Sequence, residues 1–323
     1  MNTDPRRRIL CVIDGSYLMY YVIFSSVNKF TKKFPEEAAT LIKSPDEVDQ
    51  ENLPDLMVSS KFQKLLKETF AEKCASIDTI LQSNFQDEVD YADGIDYLFA
   101  LDAKVTGSFR KEVYPEYKAT RKLIKRSYNI GTLRRFLENT VIPDFNLSHH
   151  IDFNLVRVEG AEGDDVIACT LRNFNDYMLK VLIASDHDFC QLENIRQFNL
   201  DGTEVIPTVT TKGDKIRLTP KQAKLVKIIS GDGADNIPSI AQRMGAVTAY
   251  KLIQDKEKLK QYLFEHQDAA RQFIINKKLV DFDQIPAELE SAVIAEVSKK
   301  IDVSFFERQE LKKARMSSTI TLL

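Results

Sequence analysis

The sequence predicts an α/β fold: a mainly parallel central sheet flanked by helices, followed by a smaller C-terminal helical region. Three observations carry this. Four short apolar runs, at 8–13, 95–101, 155–158 and 180–184, are rich in Ile, Leu, Val and Phe, as strands buried on both faces are. Helical patterns separate them, at 15–27, 62–83, 132–139 and 164–174, which makes the order strand–helix–strand. Each run also leads into acid: Asp14, Asp102, Glu159 with Glu162, and Asp186 through Ser185. Parallel strands present their C-termini along one edge, where ligands bind, so these acids are expected to converge.

The elements follow in order. The first run, RILCVI, stops at Asp14, which suits the N-cap of the next helix equally well. Residues 28–55 hold three lysines and then many acids with little apolar content, and read as a mobile surface insertion. Asp164 and Asp165 open a helix, where they also complement its dipole. Thr219-Pro220 supplies an N-cap and a first-turn proline for a helix to about 229. The loop SGDGADNIP at 230–238 breaks that helix, another runs over about 246–254, and 281–323 reads as further helix from about Pro286. The expected division is a core at 1–218, a second unit at 219–280 and a C-terminal helical region at 281–323.

Composition narrows the function. With 323 residues and 43% hydrophobic content the chain can bury a sizeable core. Its four cysteines form no CxxC pair, which argues against a zinc ribbon or disulfide framework and for a reducing, cytoplasmic home. No apolar run approaches the roughly 18 residues of a membrane span, and no signal-peptide core precedes the first strand. The net charge of −3 conceals an asymmetry: residues 104–135 carry ten Lys or Arg against two Glu, a local +8, and the remainder carries −11.

Nine acids form the candidate chemical set: Asp14, Asp102, Glu162, Asp164, Asp165, Asp186, Asp188, Asp232 and Asp235. Carboxylates that converge repel, so a cation must offset them. Hard oxygen donors without histidine or cysteine point to Mg²⁺ or Mn²⁺, and their number suggests two ions about 4 Å apart, an arrangement suited to in-line displacement at a phosphodiester. Asp186-x-Asp188 does not begin a calcium loop, because Gln191 and Gln197 stand where such a loop needs Gly and Glu. In SFRKEVYPEYKATR at 108–121, Lys118 and Arg121 would share a helix face, and an ammonium beside a guanidinium suits a phosphate under attack. Arg110, Lys111, Lys122, Lys125 and Arg126 flank them as nucleic-acid contacts, with Tyr114 and Tyr117 as stacking surfaces or ordinary surface tyrosines. Gly231 and Gly233 would let a nucleic-acid backbone approach. No histidine is given an acid–base role.

The pattern resembles the flap endonuclease, or 5′-nuclease, superfamily. The matching segments are VIDGSYLMY at 12–20, FALDA at 99–103, SFRKEVYPEYKATR at 108–121, EGAEGDDVIA at 159–168, ASDHDFCQL at 184–192 and SGDGADNIPSI at 230–240. LVDFDQIP at 279–286 and the chain size look most like the T-even-type bacteriophage RNase H branch. The resemblance implies a PIN-like core with a helical arch around 104–135 and a helix–three-turn–helix at 219–255. It implies a first metal site of Asp14, Asp102, Glu162 and Asp164, with Asp165 adjacent, and a second of Asp186, Asp188, Asp232 and Asp235. Lys118 and Arg121 match the basic pair at the arch base, and Tyr20 matches an aromatic that stacks on the terminal base. A K⁺ site at the helix–three-turn–helix is implied too, although Arg243-Met244-Gly245 matches the usual glycine-rich turn loosely. Gly163 replaces a common Ala, and the 28–55 insertion is longer than in the pattern.

The function so implied is a Mg²⁺-dependent 5′→3′ exonuclease and flap endonuclease with RNase H activity. It would act on double-stranded DNA, RNA–DNA hybrids and 5′ flaps, and remove RNA primers in lagging-strand replication. It would work as a monomer in the cytoplasm, that of the bacterial host for a phage protein, beside a single-strand-binding protein and a sliding clamp. The tail at 316–323 reads as a frayed terminus, with clamp docking as the alternative. Two other functions stay open: a PIN-type single-strand ribonuclease, and a catalytically inactive, structure-selective DNA-binding protein.

Overall fold

The computed structural model describes residues 7–103, 108–120, 125–149, 151, 153–211 and 213–301. Strand β1 (Arg8–Asp14) is central and buried almost throughout. It pairs in parallel with β2 (Gly94–Ala100) on one side and β4 (Leu179–Ile183) on the other; β3 (Phe153–Val156) and β5 (Arg196–Phe198) complete the order β3-β2-β1-β4-β5. The connection direction reverses beside β1, which makes the crevice beyond β1 and β4 the topological switch point. In register, Asp14 lies opposite Ala100, and Ile13 opposite Ile183. Asp14, Asp102 and Asp186 therefore leave the sheet at the same edge.

Alternation along the strands fills two layers. Cys11, Ile13, Tyr97, Phe99, Val181 and Ile183 face α1 (Gly15–Lys33), α3 (Ser60–Tyr91), α5 (Ile130–Phe136) and α6 (Ile142–His149). Leu10, Val12, Leu98, Ala100, Leu182 and Ala184 face α7 (Gly163–Asn173) and the helical residues 287–301, through Val293 and Val297. At the opposite sheet edge Arg8 makes a buried two-point bond to Asp96, both contacts at 2.7 Å. All four cysteines are buried free thiols. No helix among the described residues is long and apolar enough to cross a membrane.

Several elements differ from the sequence reading. Helix α1 runs to Lys33 because Phe30 is fully buried, edge-on to Phe62 at 5.4 Å. Helix α2 (Pro35–Leu41) follows and buries Ala38. Half of the expected insertion is thus packed helix, and only the stretch from residue 42 onward is loop. Helix α3 extends to Tyr91 through a kink at Phe85, whose ring meets Phe198 at 5.8 Å. Strand β5, three residues long, and the polar hairpin β6 (Thr208–Thr211) and β7 (Asp214–Arg217) gave too little hydrophobic pattern to be read.

The segment 104–135 holds the short helix α4 (Phe109–Val113), turns at 115–118, and the start of α5. Arg121 and Lys122 lie outside the described residues, as does the tail at 316–323. C-terminal to the hairpin, α8 (Pro220–Ser230) opens with the expected cap: Thr219 and Gln222 bond each other's main chain. Helices α9 (Ala246–Ile253), α10 (Lys256–Glu265) and α11 (Gln267–Val280) follow and enclose a separate small core around Val226, Ile229, Met244 and Leu252. Buried Asn276 of α11 donates to the carbonyls of Ile228 and Pro238, which clips the loop after α8 in place.

Candidate active site

The site is built where β1, β2 and β4 end. Asp14 caps α1, its Oδ1 accepting the Tyr17 N–H at 2.9 Å. Asp102 is held from two sides: Ser16 Oγ donates to Oδ2 at 2.8 Å and the Gly163 N–H donates to Oδ1 at 2.9 Å. A Cβ on Gly163 would approach that same Oδ1 at 3.3 Å, so glycine gives the carboxylate room. Asp186 caps the short helical turn His187–Gln191 by accepting the Asp188 N–H at 2.9 Å.

Charge crowding is plain in the acid strengths. Burial, reinforced by the charges of Asp102 and Asp186, pushes the Asp14 carboxyl up to about 6. Burial also raises Asp164 well above the carboxylate range; Lys118 opposes this, while Asp14, Asp186 and Asp102 add to it. Asp14 and Asp164 therefore both feel the Asp102 and Asp186 charges across the switch point. Glu162 behaves oppositely. Burial acts to raise it, but the Lys118 and Arg110 charges outweigh burial and hold it below the ordinary glutamate value.

Lys118 is the cation of this group. Its ammonium donates to Glu162 Oε2 in a short contact and lies 3.7 Å from Asp235 Oδ2. Burial opposes its charge, yet Glu162, Asp235 and Asp164 raise its pKa above the ordinary lysine value. The residue stands in a turn rather than on a helix, at φ 55°, an unfavourable conformation for a side-chain-bearing residue. Its N–H donates to the Asp235 carbonyl at 3.0 Å, and Asn236 donates to the Glu116 carbonyl at 2.9 Å. The loop after α8 thus holds the basic segment by its main chain. A second group lies alongside: Lys227 of α8 pairs with Asp188 in a short contact and with Asp232 at 2.8 Å. Burial would raise Asp232, but the Lys227 bond and charge more than offset it and lower its pKa.

Four expectations need correction. Asp165 is fully buried, and its two oxygens take Arg110 NH1 and NH2 at 3.0 and 2.7 Å, while Oδ2 also accepts the Glu162 N–H. Its lone pairs are committed to a structural bond, so it does not serve as a metal ligand. Arg110 is likewise buried, bonded also to the Leu279 carbonyl at 2.9 Å, and is no phosphate contact. Tyr117 does not offer a face to a base: it is buried, and its hydroxyl sits 3.2 Å from both Glu162 and Asp235. Asp235 accordingly stands with Glu162 and Lys118, not with Asp232.

The remaining candidates are placed as follows. Tyr20 is half-buried and stacked on exposed Phe24, with ring centroids 6.0 Å apart, and the Arg134 guanidinium lies over it at 5.6 Å. Lys111 is partly exposed, and Lys125 is exposed and paired with Asp46 at 2.6 Å. Gly231 has φ 72°, and a Cβ there would fall 2.4 Å from the Ile237 carbonyl, so glycine is required by the chain crossing itself. Gly233 is open to solvent. Arg243 is exposed and holds φ 58°, the conformation a glycine-rich turn would give to glycine.

Sequence reasoning missed Lys227, Ser16 and Ser108, the last donating to Glu162 Oε1 at 3.0 Å. Lys227 was findable in principle, since it stands in the last turn of the helix just before Asp232 and a cluster of acids demands counter-charge. Among the described residues, no three His, Cys, Asp or Glu side chains form a group that could hold a metal ion as they stand. The two ammonium groups provide the local counter-charge. The donor set nonetheless fits a hard divalent cation: burial and neighbouring carboxylates raise the proton affinity of Asp14 and Asp164, and a cation relieves that repulsion.

The chain is similar to known proteins in sequence and in fold. Residues 80–217 match the family model described as 5′-3′ exonuclease, N-terminal resolvase-like domain. Thermostable DNA polymerase I of Thermus aquaticus is 26% identical over 233 residues, 72% of this chain and 26% of that protein. DNA polymerase I of Borreliella burgdorferi is 31% identical over 157 residues, 46% of this chain and 16% of its own length. The chain thus spans about a quarter or less of these relatives. Among solved structures, a zinc-bound T5 5′-exonuclease aligns with a TM-score of 0.55 at 18% identity, over 92% of this chain and 100% of that one. A bacteriophage T5 flap endonuclease in complex with DNA and metal ions aligns with a TM-score of 0.55 at 19% identity, over 92% and 99%. Residues 80–217 thus resemble the N-terminal domain of 5′-3′ exonucleases, and the chain has the PIN-like fold of the 5′-nucleases.

Proposed function

We propose that this protein is a Mg²⁺-dependent 5′→3′ exonuclease and flap endonuclease that hydrolyses phosphodiesters in RNA–DNA and DNA duplexes. Its task would be the removal of RNA primers, as in the phage RNase H branch, beside a separate polymerase, a single-strand-binding protein and a sliding clamp. The observation that carries the reading is the convergence of Asp14, Asp102, Asp164 and Asp186 at the switch point, with Lys118 beside Glu162 and within reach of the Asp164 charge. A protein that only binds nucleic acid gains nothing from carboxylates turned toward phosphate.

Asp14, Asp102, Glu162 and Asp164 would hold one divalent cation, and Asp186, Asp188 and Asp232 a second. Such ions lower the pKa of water and neutralise phosphate charge. The chain's own residues do the rest. Ser16 and the Gly163 N–H fix the Asp102 carboxylate, so its lone pairs do not reorganise during reaction. Lys118, already charged and directed by its turn, donates to a phosphate oxygen as negative charge builds on it. Water attacks phosphorus, the bond to the 3′ oxygen breaks, and the products carry a 5′-phosphate and a 3′-hydroxyl.

The test compares a 5′ flap on RNA–DNA, the same flap on DNA, and free single-stranded RNA, each in Mg²⁺. Cleavage near the flap junction with little attack on free RNA is expected; the reverse preference would favour the PIN-type ribonuclease. Lys227 gives a second prediction. Because its ammonium occupies Asp188 and Asp232, Lys227→Met should tighten Mn²⁺ binding by about tenfold, read by calorimetry. Unchanged affinity would mean that the ion does not use this carboxylate pair.

A further inference from the structure

The loop at 44–55, SPDEVDQENLPD, carries five acids and no base, and it docks on the C-terminal part of the basic segment. Gln50 makes a two-way bond with the main chain of Arg126: its Oε1 accepts the N–H at 2.8 Å and its Nε2 donates to the carbonyl at 3.0 Å. One strand residue pairs with another in this way. The same amide reaches the Pro45 and Val48 carbonyls at 3.0 and 3.2 Å, which wraps the loop around it. Downstream, the Asn129 N–H donates to the Pro54 carbonyl at 2.9 Å, and Thr132 Oγ1 donates to Asp55 Oδ1 at 3.0 Å. Asp46 takes Lys125 Nζ at 2.6 Å.

We propose that the acidic loop is a strut that positions the basic segment for its nucleic-acid substrate, with Gln50 as the positioning residue and Asp46 as a stand-in for phosphate on Lys125. The proposal rests on the nucleic-acid reading above. Two kinds of bond divide the work. The Gln50–Arg126 pair is uncharged, so added salt or an arriving phosphate leaves it intact. The Asp46–Lys125 pair is exposed and weak, so a phosphate can displace the carboxylate at little cost. The main chain then stays fixed while the lysine changes partner.

The two residues should therefore act with opposite sign. Full-length wild type, Gln50→Ala and Asp46→Asn are compared for binding to a 5′-flap DNA by fluorescence anisotropy, in EDTA, across a salt series. Gln50→Ala should weaken binding about fivefold and raise KM without changing kcat, since two hydrogen bonds that hold the segment are lost. Gln50→Glu, which keeps only the acceptor, should fall between. Asp46→Asn should bind about two- to threefold more tightly, with a salt slope steeper by up to about one unit. Equal affinities across the set, or weaker binding by Asp46→Asn, would overturn the proposal. A wild type that binds no flap would defeat the nucleic-acid reading instead. The strut is then judged alone by hydrogen exchange at 125–129, where the Arg126 and Asn129 amides should lose protection in Gln50→Ala; unchanged protection would defeat it as well.

Discussion

Asp165→Ala should destabilise the fold by about 3–5 kcal/mol, the cost of leaving a buried charge without its partner. Arg110 and Asp165 are joined by two hydrogen bonds at 3.0 and 2.7 Å, both side chains are almost wholly excluded from water, and Arg110 NH1 lies 3.9 Å from Glu162. Removing Asp165 leaves the guanidinium facing Glu162 alone and releases the N-terminus of α7, whose capping box uses the same carboxylate. Replacing both residues by apolar ones of similar size should cost far less than the two single changes summed, because no orphaned charge remains. Urea denaturation in EDTA checks this. A metal-ligand role for Asp165 predicts the opposite: stability unchanged or raised without metal, since a repelling carboxylate has gone.

Asp186→Asn should abolish cleavage while sparing the fold. The amide keeps an oxygen to accept the Asp188 N–H, so the short helical turn keeps its cap. The lost charge removes several kcal/mol of cation and transition-state stabilisation, on the order of a thousandfold or more in rate. Flap binding in EDTA should stay within about twofold of wild type or tighten slightly, because one charge repelling phosphate has been removed. A rate within tenfold of wild type would take Asp186 out of the chemistry. A parallel collapse of binding and stability would make it a structural cap.

What the sequence could reveal follows the range of the forces involved. Strands β1 to β4 and α7 were legible because burial against the flanking helices leaves short apolar runs, and acids at the strand ends then had to meet. Strand β5 and the β6–β7 hairpin were not, because three or four polar residues carry no period. The extension of α1 to Lys33 depends on Phe30 meeting Phe62, a contact made by tertiary packing that local composition does not show. The site divides the same way. That Asp14, Asp102 and Asp186 leave the sheet at one edge was legible because strand ends are set by topology, and Asp164 because it opens α7. Asp165, next to Asp164, shares its residue type, and only the helix phase that turns it inward onto Arg110 distinguishes them. Tyr117 and Arg110 were read as surface groups for the same reason: the segment around them is polar, but its burial is decided by α11 and the loop after α8.

The central claim is that the converging carboxylates make a metal-dependent nuclease. The most direct measurement is cleavage of a 5′-labelled RNA–DNA flap annealed to its template, with Mg²⁺ and with EDTA. Short labelled products that appear only with the metal, and are absent in Asp186→Asn, are the predicted result. Tight flap binding with no cleavage in either Mg²⁺ or Mn²⁺ would contradict the account and leave a structure-selective binding protein in its place.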